Sequence, residues 1–192
     1  MQVVPVFINF LANETLRLDN SRIEKYCLAQ ESLSSGRVVS NGGGWQSHNL
    51  DLAIPELQEL FGVVGEKLNE LHRYFGFSES MRQSITEAWI NINRKGNFNY
   101  DHTHPGCFFS CVYYVRGAPN QGNIELTTPI EAHAYTIEND MVEAHNSYSG
   151  HALSIPPKTG ELLIFPSWVL HRVKQNETND DRISIAMNSK IG

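Results

Sequence analysis

Asn99-Tyr100-Asp101-His102-Thr103-His104-Pro105-Gly106 leads into the apolar run Phe108 to Val115. Alternate residues of a strand project to one face. His102 and His104, two positions apart, therefore present their imidazoles together where a β-type stretch begins. A third imidazole, His171, closes Gly160-Glu161-Leu162-Leu163-Ile164-Phe165-Pro166-Ser167-Trp168-Val169-Leu170-His171. That segment reads as a turn, an apolar strand and a Pro-Ser corner that delivers the histidine to the mouth of a barrel. Two imidazoles from one strand and one from a later strand can cap one face of a metal ion and leave its other positions open.

The two-residue period extends on both sides of this stretch. From Ile85 onward Ala88-Trp89-Ile90-Asn91-Ile92-Asn93 alternates, and Arg94-Lys95-Gly96-Asn97 turns the chain. Further short apolar runs follow at 124–127, 151–155, 162–165, 171–173 and 183–187. Strands this short, separated by Gly, Pro, Asn and Asp, predict a sandwich or jelly roll rather than a parallel sheet. Residues 128–150 read as a wide loop of the kind that serves as a lid or substrate loop, with only Tyr135-Thr136-Ile137 extended. Asn91 and Asn93 face either the pocket or, on an edge strand, solvent.

Upstream the period is helical. Ile54, Leu57, Leu60, Phe61, Val64, Leu68 and Leu71 form an amphipathic stripe over residues 53–74, and Gly76 is placed to end it. Asn13 to Leu33 also reads as helix, with Asn20-Ser21 as a second start. Residues 3–10 suggest a short strand, and Asn41 to Ser47 a turn-rich loop. The expected fold class is α+β, mainly β. One domain spans 1–192, with a helical support region at 1–84 and a jelly-roll core at 85–192.

The chain has 192 residues, 41% of them hydrophobic, which is enough for one domain with a real core. No apolar run approaches the length of a membrane span. The N-terminus lacks the basic start and cleavage site of a signal peptide. Three cysteines, Cys27, Cys107 and Cys111, match neither a disulfide framework nor a zinc site and point to a reducing, cytoplasmic setting. Cys107 and Cys111 are expected to share a strand face as core packing. The net charge is −6 with no basic stripe, which argues against nucleic acid as partner. A small molecule, a peptide or a protein is the expected substrate, and the sequence leaves room for a homodimer. His48, His72, His133, His145 and His151 have no partner pattern and read as structural or surface residues. Trp89 and Trp168 read as core, and Trp45 as either core or mouth.

Arg182 begins the alternating Arg182-Ile183-Ser184-Ile185-Ala186-Met187-Asn188, so Arg182 and Ser184 share a face with Ala186 and Asn188. A guanidinium inside a barrel is costly unless it meets an anion. Arg182 with Ser184 two residues on suits a carboxylate.

These residues resemble the iron- and 2-oxoglutarate-dependent oxygenase superfamily. The nearer likeness is to its bacterial and phage branch, with H-x-H-P-G and F-P-S-W-x-x-H…R-I-S-I-x-x-N motifs. The matching segments are Asn99 to Val115 and Gly160 to Asn188, and Asn41 to Ser47 is similar to that branch's N-terminal signature. The resemblance implies a double-stranded β-helix core, with Fe(II) and 2-oxoglutarate as cofactors. It implies His102 and His171 as metal ligands, with His104 where the superfamily normally places Asp or Glu. Glu125 or Asp101 are the other candidates for that third ligand. It also implies that Arg182, Ser184 and Tyr114 hold the distal carboxylate of 2-oxoglutarate, with Tyr113 facing out. The implied activity is a dioxygenase that hydroxylates a substrate and releases succinate and carbon dioxide. Two other readings stand beside it. One is a cupin-like jelly roll using the three histidines for Zn, Mn or Ni without 2-oxoglutarate. The other is a binding module that kept the fold and lost turnover.

Overall fold

The computed structural model describes residues 1, 2, 9–146 and 149–192. In chain order the elements are β1 (Ala12–Thr15), α1 (Asn20–Leu33), β2 (Asn41–Gly42), β3 (Trp45–Gln46), α2 (Gln58–Tyr74), β4 (Gln83–Asn93), β5 (Phe98–His102) and β6 (Phe109–Arg116). They continue with β7 (Ile124–Thr127), α3 (Glu131–Thr136), β8 (Ala152–Ile155), β9 (Glu161–Pro166), β10 (Leu170–Val173) and β11 (Arg182–Ile191). The strands form a six-stranded sheet in the order β1-β9-β6-β11-β4-β3 and a five-stranded sheet in the order β2-β5-β10-β7-β8. Neighbouring strands are antiparallel throughout. This is the double-stranded β-helix: a mostly β chain in which the strands alternate between two sheets from β4 to β7 and again from β8 to β11.

Two apolar clusters hold it together. One lies under the helices, where Ile23 and Cys27 of α1 and Leu60, Val64 and Leu68 of α2 meet Ile90, Ile92, Tyr113, Ile183 and Ile185. These strand residues are the outward positions of the six-stranded sheet, which is why even and odd positions of β4 are both buried from Ala88 to Asn93. The second cluster joins the sheets through Tyr114, Ile124, Leu126, Leu163, Phe165 and Val169. Helix α1 starts where Asp19 accepts a hydrogen bond from the Arg22 N–H at 3.1 Å, an N-cap that satisfies a free donor of the first turn. Helix α2 ends at Gly76, which takes φ 72° while its N–H reaches back to the Arg73 carbonyl.

Several boundaries differ from the sequence reading. Residues 13–19 are not helical: β1 pairs along β9 as the edge of the larger sheet, a long-range pairing that local propensity does not show. Helix α2 begins at Gln58 rather than at 53, because Pro55 excludes Ile54 from helical backbone and residues 51–57 turn instead. The 41–47 segment is tied into both sheets, β2 to β5 and β3 to β4. Its corner needs Gly44, at φ 72°, where a Cβ would stand 2.9 Å from the Ile92 carbonyl. The N-terminal half thus supplies strands as well as helices. Tyr135 and Thr136 lie in α3, not in a strand. The strand expected at 3–10 falls largely outside the described residues. No helix among the described residues is long and apolar enough to cross a membrane.

Leu68 is fully buried on α2, whereas Leu33 at the end of α1 is 78% exposed. Leu68→Ala should therefore cost about 2–5 kcal/mol in urea unfolding, and Leu33→Ala no more than about 0.5 kcal/mol.

Candidate functional site

His102 and His171 are paired directly across β5 and β10, so their imidazoles leave the same face of the smaller sheet, 4.2 Å apart between ring centroids. His104 does not share that strand. Strand β5 ends at His102, and His104 sits in the following turn, where its N–H donates to the Ser167 carbonyl at 3.0 Å. The turn still brings its ring to 5.1 Å from each of the other two. One nitrogen from each ring lies within 4.8 Å of the others.

The protonation of these rings is set by their neighbours. His102 Nδ1 lies 2.7 Å from the Tyr100 carbonyl and His171 Nδ1 lies 2.9 Å from the Val169 carbonyl. A carbonyl can only accept, so each Nδ1 carries the hydrogen and each Nε2 keeps a free lone pair. This is the arrangement by which protein carbonyls orient histidine ligands. Burial lowers the pKa of all three rings, and for His104 and His171 the neighbouring imidazoles add to the effect: His104 falls to about 4 and His171 to about 3. At neutral pH the site is therefore three uncharged donors.

The two acids considered as a third ligand point elsewhere. Glu125 accepts from Arg172 at 2.8 Å and from Lys174 at 2.7 Å, and Asp101 lies 3.8 Å from Arg172. Both occupy the outer face of the smaller sheet, opposite the histidines. Burial raises the Glu125 pKa, but the two bonded cations outweigh it and hold the carboxyl low.

From the histidines a cavity runs between the sheets, and its floor is built by register. Asn91, Ser184 and Tyr114 stand side by side across β4, β11 and β6, and all three line the cavity. Arg182, two residues from Ser184, lines it as well. It is 2% exposed. One guanidinium nitrogen, Nη1, donates to the Gly122 carbonyl at 2.8 Å and to the Gln121 carbonyl at 3.2 Å. Its Nε is buried with no partner, and no carboxylate pairs with it among the described residues. Burial lowers its pKa to about 10 and raises that of Tyr114 to about 12. Gly122, at φ 90°, makes room for this packing, since a Cβ there would stand 2.9 Å from Nη1 and collide with the Lys174 carbonyl.

Other residues fall out as follows. Tyr113 points away from the cavity but is buried under α1, bonded to Asn20, rather than facing solvent. Asn91 and Asn93 are not on an edge, because β4 lies between β11 and β3. Cys111 and Cys27 are buried, whereas Cys107 precedes β6 and is partly exposed. Trp45 is core, and its indole N–H donates to the Ser34 carbonyl. Trp89 lines the cavity 5.5 Å from the His104 ring. Trp168 is half-exposed rather than core, bonded to Asn9. His48 and His145 are exposed, His72 packs on Phe77 and bonds the Ser78 carbonyl, and His151 bonds the Ile137 carbonyl. The sequence reading missed Glu87 and the buried Ser110 and Ser167. Glu87 was legible only in its alternation with Trp89 and Asn91.

A family model described as "Putative 2OG-Fe(II) oxygenase" matches residues 87–188. The chain belongs to this family. Its members are oxidoreductases whose cofactors are iron and 2-oxoglutarate. No curated protein matches the chain. Among solved structures, it is similar to a Pseudomonas putida prolyl-4-hydroxylase at 12% identity and TM-score 0.63, covering 94% of this chain and 91% of that one. The viral collagen prolyl hydroxylase of Paramecium bursaria Chlorella virus-1, in its 2OG complex, aligns at 12% identity and TM-score 0.59, over 93% and 94% of the two chains. HygX from Streptomyces hygroscopicus with nickel and 2-oxoglutarate bound aligns at 12% identity and TM-score 0.60, over 93% of this chain and 82% of that one. These likenesses confirm the fold. The residues present fit both cofactors: three neutral imidazoles suit a divalent ion, and the unpartnered Arg182 Nε suits a carboxylate.

The depressed imidazole pKa values have a consequence for the metal-free protein. Unfolded histidines take protons near pH 6.5, whereas folded His104 and His171 resist until about 4 and 3. Between those values the unfolded state binds more protons, so stability falls as pH drops. Thermal unfolding of the metal-free chain should show a midpoint that declines from pH 7 toward pH 4, and His171→Gln should make the decline shallower. A flat profile through that window would contradict the assignment of buried neutral rings.

Proposed function

We propose that the chain is an Fe(II)- and 2-oxoglutarate-dependent dioxygenase that hydroxylates a small-molecule or peptide substrate, with succinate and carbon dioxide as co-products. His102, His104 and His171 would hold the iron. When bound, iron and 2-oxoglutarate supply the oxidation of an unactivated C–H bond by dioxygen. The observation that carries the reading is Arg182, a buried cation with an unused donor in the cavity that the three histidines open into.

The protein's own residues bind, orient and exclude water. Arg182 grips the far carboxylate of 2-oxoglutarate from the closed end, with the hydroxyls of Ser184 and Tyr114 beside it. Tyr114 stays protonated at neutral pH because burial raises its pKa, so its phenol can only help an anion as a donor. Asn91, adjacent to Ser184, offers an amide to the same ligand. Phe165, 4.9 Å from the His171 ring, and Trp89 form apolar walls that keep water from the metal side. Glu125 and Asp101, held by Arg172 and Lys174, leave His104 as the third ligand. A cupin-like metal site without 2-oxoglutarate gives Arg182 no anion, so it explains less. The prolyl hydroxylases among the similar structures support hydroxylation as the reaction and a peptide-like substrate as one candidate. The acidic charge favours such substrates over nucleic acid.

Anaerobic addition of 2-oxoglutarate to the Fe(II)-loaded chain should produce a visible charge-transfer band. Arg182→Ala should weaken 2-oxoglutarate binding roughly 10- to 100-fold, the worth of hydrogen bonds to a charged group. Tyr114→Phe should weaken it only about 2- to 10-fold, as for a neutral donor. A metal-loaded protein that shows no band with 2-oxoglutarate would remove the dioxygenase reading.

A further inference from the structure

One carboxylate beside the His104 turn has no ion-pair partner among the described residues. Glu87 lies on β4, opposite Asn188 of β11, on the face that carries Trp89 and Asn91. Its Oε2 accepts from Asn188 Nδ2 at 3.0 Å and lies 3.9 Å from Cys107 Sγ. Asp101 and Glu125 are both paired with Arg172, but no Lys or Arg pairs with Glu87 among the described residues. Lys190, further along β11, acts electrostatically on the Cys107 thiol but forms no ion pair with Glu87.

Behind Glu87 runs a buried polar chain whose direction is fixed. Ser110 Oγ donates its one hydrogen to Asn188 Oδ1 at 2.9 Å. Ser110 must then accept from Ser167 Oγ, which is 2.9 Å away. Every bond points the same way: Ser167 to Ser110, Ser110 to Asn188, Asn188 to Glu87. All three of the donors are buried. The two ends of this chain bracket the turn that holds His104. At one end the Ser167 carbonyl accepts the His104 N–H at 3.0 Å. At the other, Cys107, beneath Glu87, donates its N–H to the His104 carbonyl at 3.2 Å.

Three neutral imidazoles leave a divalent ion at its full charge, whereas a carboxylate ligand would halve it. The interior around the site screens charge far less than water does. An unbalanced carboxylate fastened to the His104 turn is therefore well placed to make up the difference.

We propose that Glu87 is a positioning residue for His104: anchored through Asn188, Ser110 and Ser167, it steadies the His104 turn and supplies from outside the ligand set the negative charge that a three-histidine set lacks. This rests on His104 being a ligand. The test is Co(II) titration of the full metal-free chain, followed by visible absorption, with unfolding midpoints to confirm the fold of each variant. Glu87→Gln should weaken Co(II) binding about tenfold, as is common for residues that support metal ligands, and Glu87→Asp should keep most of the affinity. In a His104→Asp background the charge sits inside the ligand set, so Glu87→Gln should cost little. Equal losses in both backgrounds, no loss in the wild-type background, or a His104→Asp chain that binds no Co(II) would each overturn the proposal. His104→Ala with wild-type affinity would instead remove the functional reading on which it rests.

Discussion

Arg182 is a full positive charge held almost wholly out of water, and what meets it is two backbone carbonyls and an empty hydrogen-bonding direction at Nε. A cation in that state is tolerable only because its surroundings are fixed in place. Strand β11 does the fixing. It is the fourth strand of a six-stranded sheet, paired along its length with β4 and β6. Its other face, Ile183, Ile185 and Met187, is locked into the helix-side core. The glycine at 122 and the carbonyls beside it close the cage. Much of the chain thus serves to hold one guanidinium at the wall of the cavity.

The opposite end of the cavity poses the complementary requirement. A metal ion needs neutral donors, and desolvation keeps imidazoles neutral. The same exclusion from water that makes Arg182 costly makes His102, His104 and His171 available. Backbone carbonyls at Tyr100 and Val169 then choose which nitrogen of two of those rings faces inward. One cavity between two sheets therefore presents a cation at one end and uncharged lone pairs at the other. On the proposed reading, a dianionic cosubstrate bridging them would satisfy both.

The parts legible in the sequence were those whose period differs between faces. Arg182, Ser184, Ala186 and Asn188 alternate with Ile183, Ile185 and Met187 because one face of β11 meets the cavity and the other meets helices. The stripe of α2 was legible for the same reason. What escaped were elements decided by distant partners. The 13–15 segment becomes a strand only because β9 offers an edge, and the glycines after Asn41 read as a loop until β4 and β5 are there to pair with them. His102 and His104 were rightly grouped for a partly wrong reason. The strand ends at His102, and a turn held by Ser167, not strand alternation, brings His104 to the others. Glu87 escaped because its meaning depends on Asn188, about a hundred residues away along the chain.

That division has a physical logic in the two cores. The helix-side cluster is almost entirely aliphatic and aromatic, so it can carry stability without specifying chemistry. The inter-sheet cluster is smaller, and the space it does not fill is lined by Asn91, Ser110, Ser184, Arg182 and Asn188. Polar groups buried there cost free energy unless each is paired. The chain pairs those near the His104 turn with one another, from Ser167 to Glu87, and leaves the Arg182 Nε without a partner among the described residues. On the proposed reading, an anion from outside the chain would complete the hydrogen bonding of that nitrogen, against a cost that the helix-side core must offset.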